Sequence, residues 1–399
     1  MSISQINRPL NTMFVITSMP VGGAETLLVN MMRRFDKQRI NPSVCCLKDK
    51  DELGEVISDE FTVHSNLIHH KFDVAVMKRL RNLFEQNKID AVVTVGAGDK
   101  MFWGRLAARY SKVPVILSAL HSTGWPDGVG TLNRLLTRIT TGFIAVAESH
   151  GQHLISGEGF PKEKVFVIPN GVDTQRFQLN NESRQQWREK LGIPENSPVV
   201  GIVAALRPEK NHTLFVESAG QVLKQLNDAH FVIVGGGEEQ GKIEAKINEL
   251  GIESNVHLPG CTHDIPGVLS MMDLFALTSH NEASPVSIME AMSCQRPVVA
   301  TDVGSVNESV LHEKTGLLVP EGELEAMASA WLRILTDQNL AQNMGTSGRE
   351  HIIANSSLDS MTQGYAQLIE QLFASNGSPK LQTVDGSIEL SSKSASPNS

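Results

Sequence analysis

The sequence predicts an α/β protein in which two parallel sheets face each other across a cleft. Three observations support this prediction. The chain has 399 residues, too many for one ordinary domain and enough for two. Apolar runs alternate with segments of helical period from end to end, which indicates βαβ units. A run rich in turn residues, I-P-N-G-V-D from Ile168 to Asp173, interrupts the pattern, which then restarts. We therefore expect two Rossmann-like, doubly wound domains.

The first half of the chain alternates strands with helices. The predicted strands are Met13–Ser18, Ser43–Leu47, Ala91–Val95, Val115–Ala119, Phe143–Ala147 and Val165–Ile168. Helical periodicity lies between them, and the predicted helices include Glu25–Phe35, Ala75–Asn87, Met101–Tyr110 and Leu132–Thr140. These elements predict a first domain over residues 1–172.

The second half repeats this alternation. Its predicted strands are Val199–Ala204, His230–Val234, Val256–Leu258, Asp273–Thr278 and Val298–Ala300. Its predicted helices are Thr213–Leu226, Gly241–Leu250, Ile265–Ser270, Pro285–Cys294 and those after Glu323. We expect a second domain over 173–356, a helix over 357–374 that returns to the first domain, and a disordered Ser-rich tail over 375–399.

Composition favours a soluble, cytoplasmic protein. Hydrophobic residues make up 41% of the chain, enough for two packed cores. The cysteines are an adjacent pair, Cys45 and Cys46, and two distant residues, Cys261 and Cys294. This pattern fits neither a disulfide framework nor a zinc site. The first residues lack the apolar region of a signal peptide, and no run approaches the ~18 apolar residues of a spanning helix.

Charge is distributed unevenly between the halves. The net charge of −9 divides into +3 for residues 1–175 and −12 for residues 176–399. The overall sign disfavours nucleic acid as a partner. Two interpretations of the uneven charge stay open. The first domain meets an anionic partner, such as a lipid-linked acceptor or the inner face of a membrane, or both halves are ordinary solvated surfaces.

The segment from Ser279 to Asp302 is the most informative part of the chain. It carries Glu282 and Glu290, separated by seven residues, between two apolar strands. Ser284 and Pro285 predict an N-cap followed by the first helical residue, so that a helix with free N–H groups begins at a strand's carboxyl end. Such a helix start attracts phosphate. By spacing alone, however, the two glutamates could be incidental.

This segment resembles the nucleotide-sugar signature of glycosyltransferase family 4, in which E-x7-E is followed by an A-M helix and a P-V-V-A-T strand. I-P-N-G-V-D-x-x-x-F, from Ile168 to Phe177, is a further hallmark of that family. Ala283 and Gln295 stand where the family has glycine, which affects loop shape rather than charge. The resemblance implies a GT-B fold, with the acceptor mainly on the first domain and the nucleotide mainly on the second.

The resemblance also implies an activity. A hexose moves from a UDP- or GDP-linked sugar to a hydroxyl of a glycan or lipid-linked acceptor, with retention of anomeric configuration, in cell-surface polysaccharide or glycolipid synthesis. Glu282 would contact hydroxyls of the transferred sugar, and Glu290 would hold the ribose. Arg207 and Lys210, one residue closer together than in the family's R-x-x-x-K, would neutralise the diphosphate. His121, at the end of a strand, would orient the transferred sugar.

Further donor contacts are expected at strand ends. Gly22 and Gly23 follow the first strand, where the absence of side chains lets the backbone approach a diphosphate. Gly236 follows strand His230–Val234 and would admit the nucleoside, and the segment around Asp264 would line the base pocket. The complete predicted donor-binding set is Gly22, Gly23, Gly236, Asp264, Ser284, Pro285, Val286 and Glu290.

We expect neither a cofactor nor a metal ion. Asp49 and Asp51 form a D-x-D pattern, but they lie in a charged run of the first domain, which we interpret as a solvated turn. His69 and His70 lack a third ligand at suitable spacing. Two other functions stay open: a nucleotide-sugar epimerase of the same fold, and a non-catalytic subunit of a polysaccharide assembly complex. The second would be expected to lack residues such as Glu282.

Overall fold

The structure is a computed structural model that describes residues 8–20, 22–70, 73–96, 100–120 and 135–375. His121, part of the predicted helix Leu132–Thr140 and nearly all of the predicted tail lie outside the described residues. Within the described ranges the two predicted sheets are both present, and each is built from parallel strands.

The first sheet has seven strands. They are β1 (Leu10–Ile16), β2 (Ile40–Cys46), β3 (Val63–His64), β4 (Ala91–Val95), β5 (Val115–Ala119), β6 (Gly142–Ala145) and β7 (Val165–Val167). Their order is β3-β2-β1-β4-β5-β6-β7. The described helices among them are α1 (Gly23–Arg34), α2 (Asp51–Ile57), α3 (Val76–Gln86), α4 (Lys100–Tyr110) and α5 (Glu148–Ser156). Central strands such as β4 are buried throughout, which explains their continuous apolar sequences.

The second sheet has six strands. They are β8 (Val199–Val203), β9 (His230–Val234), β10 (Val256–Gly260), β11 (Leu274–Leu277), β12 (Val298–Thr301) and β13 (Gly316–Val319), in the order β10-β9-β8-β11-β12-β13. Its helices are α6 (Asn181–Leu191), α7 (His212–Leu223), α8 (Gln240–Leu250), α9 (Ile265–Met271), α10 (Val286–Ser293), α11 (Val306–Ser309), α12 (Leu324–Thr336) and α13 (Gln338–Asn355).

A buried aromatic group anchors the core of the second sheet. Trp331 on α12 is fully buried. Its ring centroid lies 5.0 Å from that of Phe215 on α7 and 6.0 Å from that of Phe231 on β9. Aromatic pairs at these distances stabilise a core beyond the area that they bury. The packing fixes one helical layer against the sheet and thereby the loops at the sheet edge.

Two segments cross between the sheets side by side. The backbone N–H of Val172 donates to Ser356 O at 2.9 Å, and that of Leu358 donates to Val172 O at 3.0 Å. A Cβ at Gly171 would lie 2.5 Å from Ser357 O, so a side chain there would push the crossings apart. The last helix, α14 (Leu358–Ala374), packs on the core of the first sheet. The exact domain boundaries given above stay predictions.

The structure differs from the sequence predictions in several local features. Helices α2, α5, α6 and α11 were not among the predicted helices. Strands β3 and β13 were not predicted; β3 is only two residues long, too short for a periodic signal. Helix α10 begins at Val286, so Pro285 rather than Ser284 occupies the N-cap position, without a side-chain cap. The D-x-D pattern is not a simple turn, because Asp51 opens α2. Among the described residues, no helix is both long and apolar enough to cross a membrane.

Candidate active site

The predicted site residues of the second half gather where the strand order of its sheet reverses. Strands β8 and β11 are neighbours, while the chain runs from β8 to β10 on one side and from β11 to β13 on the other. Lys210 lies in the loop after β8, and Glu282 lies in the loop after β11. Parallel α/β sheets bind ligands at the carboxyl ends of their strands, at the switch point where the strand order reverses.

Lys210 and Glu282 form an ion pair at this edge. The distance from Lys210 Nζ to Glu282 Oε1 is 2.5 Å, and the Ser279 hydroxyl donates to the same oxygen at 2.7 Å. The Glu282 side chain is 8% exposed and that of Lys210 is 23% exposed. A partly buried charge pair is stabilised only when each partner is present. The two contacts therefore fix the direction of the Glu282 carboxylate.

The backbone around Glu282 is held from two neighbouring loops. The Thr278 hydroxyl donates to Lys210 O at 3.1 Å, which ties the loop after β11 to the loop after β8. The Thr301 hydroxyl donates to Ser279 O at 2.6 Å. The backbone N–H of Ser305 donates to Glu282 O at 3.1 Å. Because these bonds run between loops, the carboxylate is positioned before any ligand arrives.

Gly304 makes this arrangement possible, and we expect Gly304→Ala to disturb Glu282 directly. Its φ is +56°, and a Cβ there would overlap the Glu282 carbonyl oxygen. The substitution should lower turnover by roughly 100-fold, since small displacements of a positioned group cost rates of that order. Steady-state kinetics and thermal unfolding would check this prediction.

Gly322→Ala is the matched control. Gly322 also has a positive φ, +75°, but a Cβ there would meet nothing within 4 Å. Both variants carry the roughly 1–2 kcal/mol of left-handed backbone strain. Only Gly304→Ala should lose turnover; equal losses would show that backbone strain, not contact with Glu282, matters.

Arg207 lies at the rim of the site. Its side chain is 65% exposed, and its nearest acidic partner is Glu209, at 3.9 Å. Burial raises the pKa of Glu25, and the positive charge of Arg207 partly opposes that shift. Glu25 belongs to the first turn of α1, directly after Gly22 and Gly23. The loop of the first sheet and the rim of the second thus border the same cleft.

The triple glycine after β9 packs against the loop that leads to Arg207. Gly235 has a φ of +151°, and a Cβ there would overlap the carbonyl oxygen of Ala204. A Cβ at Gly236 would lie 3.1 Å from Cys261 Sγ. The backbone N–H of Leu206 donates to Gly236 O at 3.0 Å. Glycine is therefore required for the close approach of these loops, whatever ligand they bind.

Asp264 has structural partners of its own. Its carboxylate accepts a hydrogen bond from Gly267 N at 3.0 Å and caps α9. The indole N–H of Trp187 donates to it at 2.7 Å. Both carboxylate oxygens are thus in use. The expected lining of a base pocket by this segment stays a prediction and would depend on its backbone rather than on this carboxylate.

Glu290 lies within α10, one turn and a half after Pro285. Burial raises its pKa to about 7, and the positive charge of Arg176 partly opposes the shift. The Ser284 carbonyl at the start of the helix accepts a hydrogen bond from Asn170 Nδ2 at 3.4 Å. Val286 packs against the cores of both sheets. This helix start therefore lies where the two halves of the chain meet.

A cavity of about 480 Å³ opens between the two halves beside Glu282. One wall comes from α5 of the first sheet and the other from the loops after β11 and β12. Its lining consists of Ser149, His150, His153, Asn281, Glu282, Ala283, Gly304 and Ser305. Sequence patterns did not single out the α5 residues. Their position directly after strand Phe143–Ala147 was the available signal, since ligands bind at such strand ends.

A carboxylate of the second half joins the two walls. Glu308 on α11 accepts hydrogen bonds from the backbone N–H groups of Glu148 and Ser149, each at 2.7 Å. These groups open α5, where the helix dipole favours a negative charge. His121, which the resemblance placed at this cleft, lies outside the described residues. Among the described residues, no three His, Cys, Asp or Glu side chains are grouped so as to hold a metal ion.

Comparison with protein families matches both halves of the chain. The model described as "Glycosyltransferase Family 4" matches residues 21–176. The model described as "Glycosyl transferases group 1" matches residues 183–351. The first match includes strands β2 to β7 of the first sheet, and the second includes all six strands of the second sheet.

Several characterised proteins are similar to the chain. One is an Escherichia coli UDP-Gal:α-D-GlcNAc-diphosphoundecaprenol α-1,3-galactosyltransferase, 27% identical over 70% of this chain and 75% of the relative. Another is a Mycobacterium tuberculosis GDP-mannose-dependent α-(1-6)-phosphatidylinositol monomannoside mannosyltransferase, 25% identical over 73% of this chain and 78% of the relative. The structure of Anabaena HepE with UDP-glucose superposes with a TM-score of 0.80, at 21% identity, over 91% of this chain and 100% of that one.

The two facing sheets and the site at the switch point define a GT-B glycosyltransferase. Together, the two family matches and the similar proteins show that the chain is a family 4-like GT-B glycosyltransferase. The predicted fold, family and class of enzyme, a hexosyltransferase, are thereby confirmed.

Proposed function

We propose that this protein is a retaining, metal-independent hexosyltransferase. Its donor is a UDP- or GDP-linked hexose, and its acceptor is a hydroxyl of a glycan or lipid-linked sugar. The synthesis of cell-surface polysaccharide or glycolipid is the proposed setting. The relatives named above use UDP-galactose or GDP-mannose with lipid-linked acceptors, and this supports the proposal for donor and acceptor class.

The observation that carries the proposal is the Lys210–Glu282 pair, of which Glu282 lines the interdomain cavity. Glu282 Oε1 already accepts hydrogen bonds from Lys210 and Ser279. We therefore propose that Oε2 accepts hydrogen bonds from hydroxyl groups of the transferred sugar. The Lys210 ammonium group is proposed to interact with the diphosphate as well as with Glu282 when negative charge develops on the leaving group. Charge stabilisation by a positioned cation is a major source of rate enhancement.

The rest of the donor is assigned to neighbouring groups. The diphosphate is proposed to lie between the two halves of the chain. On the second half it would face Arg207 and the start of α10 at Ser284, Pro285 and Val286, and on the first half it would face Gly22 and Gly23. Gly236 and the Asp264 segment are proposed to receive the nucleoside. No side-chain nucleophile is assigned; the acceptor hydroxyl attacks from the face that the leaving diphosphate vacates. His121 is proposed to orient the transferred sugar.

A transfer assay with and without acceptor tests the reaction class. We expect donor to be consumed only when a glycan acceptor is present, and proton NMR of the product to show the anomeric configuration of the donor. An epimerase would convert the donor alone, and a non-catalytic subunit would convert nothing. Product of inverted configuration would contradict the retaining mechanism.

Nucleotide affinity should depend on the ionisation of Glu290. With a pKa of about 7 before binding, the carboxyl is protonated below that pH, whereas ribose hydroxyls donate best to the carboxylate. Binding should therefore release a proton, and the dissociation constant for UDP or GDP should rise roughly tenfold per pH unit below 7. Calorimetry from pH 5.5 to 8.5 would measure this. Glu290→Gln should remove most of the pH dependence; an unchanged dependence would place the proton elsewhere.

Activity should withstand chelation. Lys210, Arg207 and the start of α10 are proposed to compensate the diphosphate charge, which leaves no task that requires a metal ion. Turnover should therefore be the same after treatment with EDTA and gel filtration. Loss of turnover that manganese or magnesium restores would contradict this part of the mechanism.

We further propose a cytoplasmic location with peripheral membrane contact through the first domain. The excess of positive charge in residues 1–175 supports this, because anionic lipids attract basic surfaces. Sedimentation with anionic vesicles, compared with neutral vesicles, would test the contact.

A further inference from the structure

A buried histidine forms part of the first-sheet wall of the cavity. His150 lies in the first turn of α5, is 2% exposed and lines the cavity together with Glu282 from the opposite wall. Its Nε2 has no hydrogen-bond partner within the part of the chain that the structure describes. An unpaired buried polar atom is costly unless a ligand or water pairs with it.

The contact of the other ring nitrogen defines the tautomer. The backbone N–H of Val146 donates to His150 Nδ1 at 3.4 Å. Burial lowers the pKa of His150 to about 4. The nearby His153 lowers this pKa further, and the negative charge of Glu308 opposes the shift only in part. The ring is therefore neutral at pH 7, and its single proton lies on Nε2. His150 offers one N–H donor and no charge.

The start of α5 is already occupied by an anion. Glu308 accepts from the N–H groups of Glu148 and Ser149 and from the Ser149 hydroxyl. These are the groups that would otherwise attract phosphate. The neutral imidazole N–H of His150 has no partner among the described residues, and it suits a hydroxyl or ring oxygen rather than a phosphate.

We infer that His150 Nε2–H donates a hydrogen bond to an oxygen of an uncharged sugar residue of the acceptor and so positions the attacking hydroxyl. The inference rests on the proposed function, which gives the Glu282 wall to the donor sugar and leaves the α5 wall to the acceptor. His150 moves no proton in this role; it is a positioning residue.

Three variants separate this role from a purely structural one. The side chain of Gln can place an N–H near the position of Nε2, whereas Asn reaches only the position of Nδ1 and can preserve the contact with Val146. Phe keeps the size of the ring and removes both contacts. We expect the parent to bind acceptor most tightly, His150→Gln less tightly, and His150→Asn and His150→Phe equally weakly. The loss in His150→Phe should be roughly 5- to 150-fold, as for an acceptor oxygen left without a donor.

The probes are simple glycosides of neutral hexoses and the corresponding hexose phosphates, titrated by calorimetry into enzyme saturated with UDP or GDP. We expect neutral glycosides to bind more tightly than the phosphates, and the affinity for nucleotide to be unchanged in all three variants. His64→Phe is the matched control. His64 lies on β3 of the same sheet, and its buried Nε2 also lacks a partner among the described residues.

Three results would overturn the inference. They are equal glycoside affinity in parent and His150→Phe, recovery by Asn rather than Gln, or preference for the phosphates. Binding of neutral glycosides without any transfer would instead contradict the proposed function and leave the contact of His150 intact.

Discussion

Lys210→Met lowers turnover by roughly 10²- to 10³-fold in our account, the largest expected effect of a single substitution. The substitution removes the cation proposed to stabilise the leaving diphosphate, a contribution of about 2.7–4 kcal/mol in comparable sites. It also leaves Glu282 without the partner that lies 2.5 Å away. An unpaired buried carboxylate destabilises a fold, so the melting temperature should fall as well.

Lys224→Met is the control for loss of a lysine. Lys224 is the C-cap residue of α7, and its Nζ donates to Gln221 Oε1 at an exposed position. Its replacement should leave kinetics and melting temperature nearly unchanged. A Lys210→Met enzyme that turns over like the parent would show that neither the charge of Lys210 nor its contact with Glu282 contributes to catalysis.

Glu282→Gln should lower turnover by roughly 10- to 150-fold and leave nucleotide affinity unchanged. The variant loses one or two charge-assisted hydrogen bonds to the transferred sugar, worth ~1.5–3 kcal/mol each. At pH 8 the Glu290 carboxylate is ionised in the parent. Under this condition Glu290→Gln should weaken binding of free nucleoside diphosphate by a similar factor and leave turnover nearly unchanged. The two changes are chemically identical and differ only in position, so each variant is the control for the other.

Calorimetry with UDP and GDP, together with single-turnover kinetics, separates these effects. If Glu282→Gln weakened binding of the free nucleotide as much as Glu290→Gln does, the division between sugar and ribose contacts would be wrong.

The sequence was sufficient for the fold because its signals are local. Strands such as β4 and β9 are largely apolar runs that a local pattern identifies. Helix α10 was predicted to begin one residue early, because proline is tolerated both at the N-cap and at the first helical position. The two-residue strand β3 is held by its neighbour β2, which no local pattern reveals.

The site was predictable only where the chain carries a motif. Glu282 and Lys210 were both named, but their direct contact spans 72 residues of sequence and depends on how two loops leave one sheet. The exposure of Arg207 and the structural partners of Asp264 likewise follow from tertiary packing. The contact of Glu308 with the start of α5 joins residues 160 positions apart, so spacing could not predict it. The α5 wall was missed because its residues form no recognised motif, although they directly follow a predicted strand.

The central claim is that a nucleotide diphosphate sugar binds at the edge of the second sheet, with its sugar at Glu282 and its ribose at Glu290. Native mass spectrometry of the intact protein with a panel of UDP- and GDP-linked hexoses tests it most directly, with Glu290→Gln measured beside the parent. We predict one donor bound per chain of the parent, selected from the panel, and a markedly weaker complex for Glu290→Gln. A parent that retains no nucleotide sugar, or a Glu290→Gln variant that retains it equally well, would contradict the account.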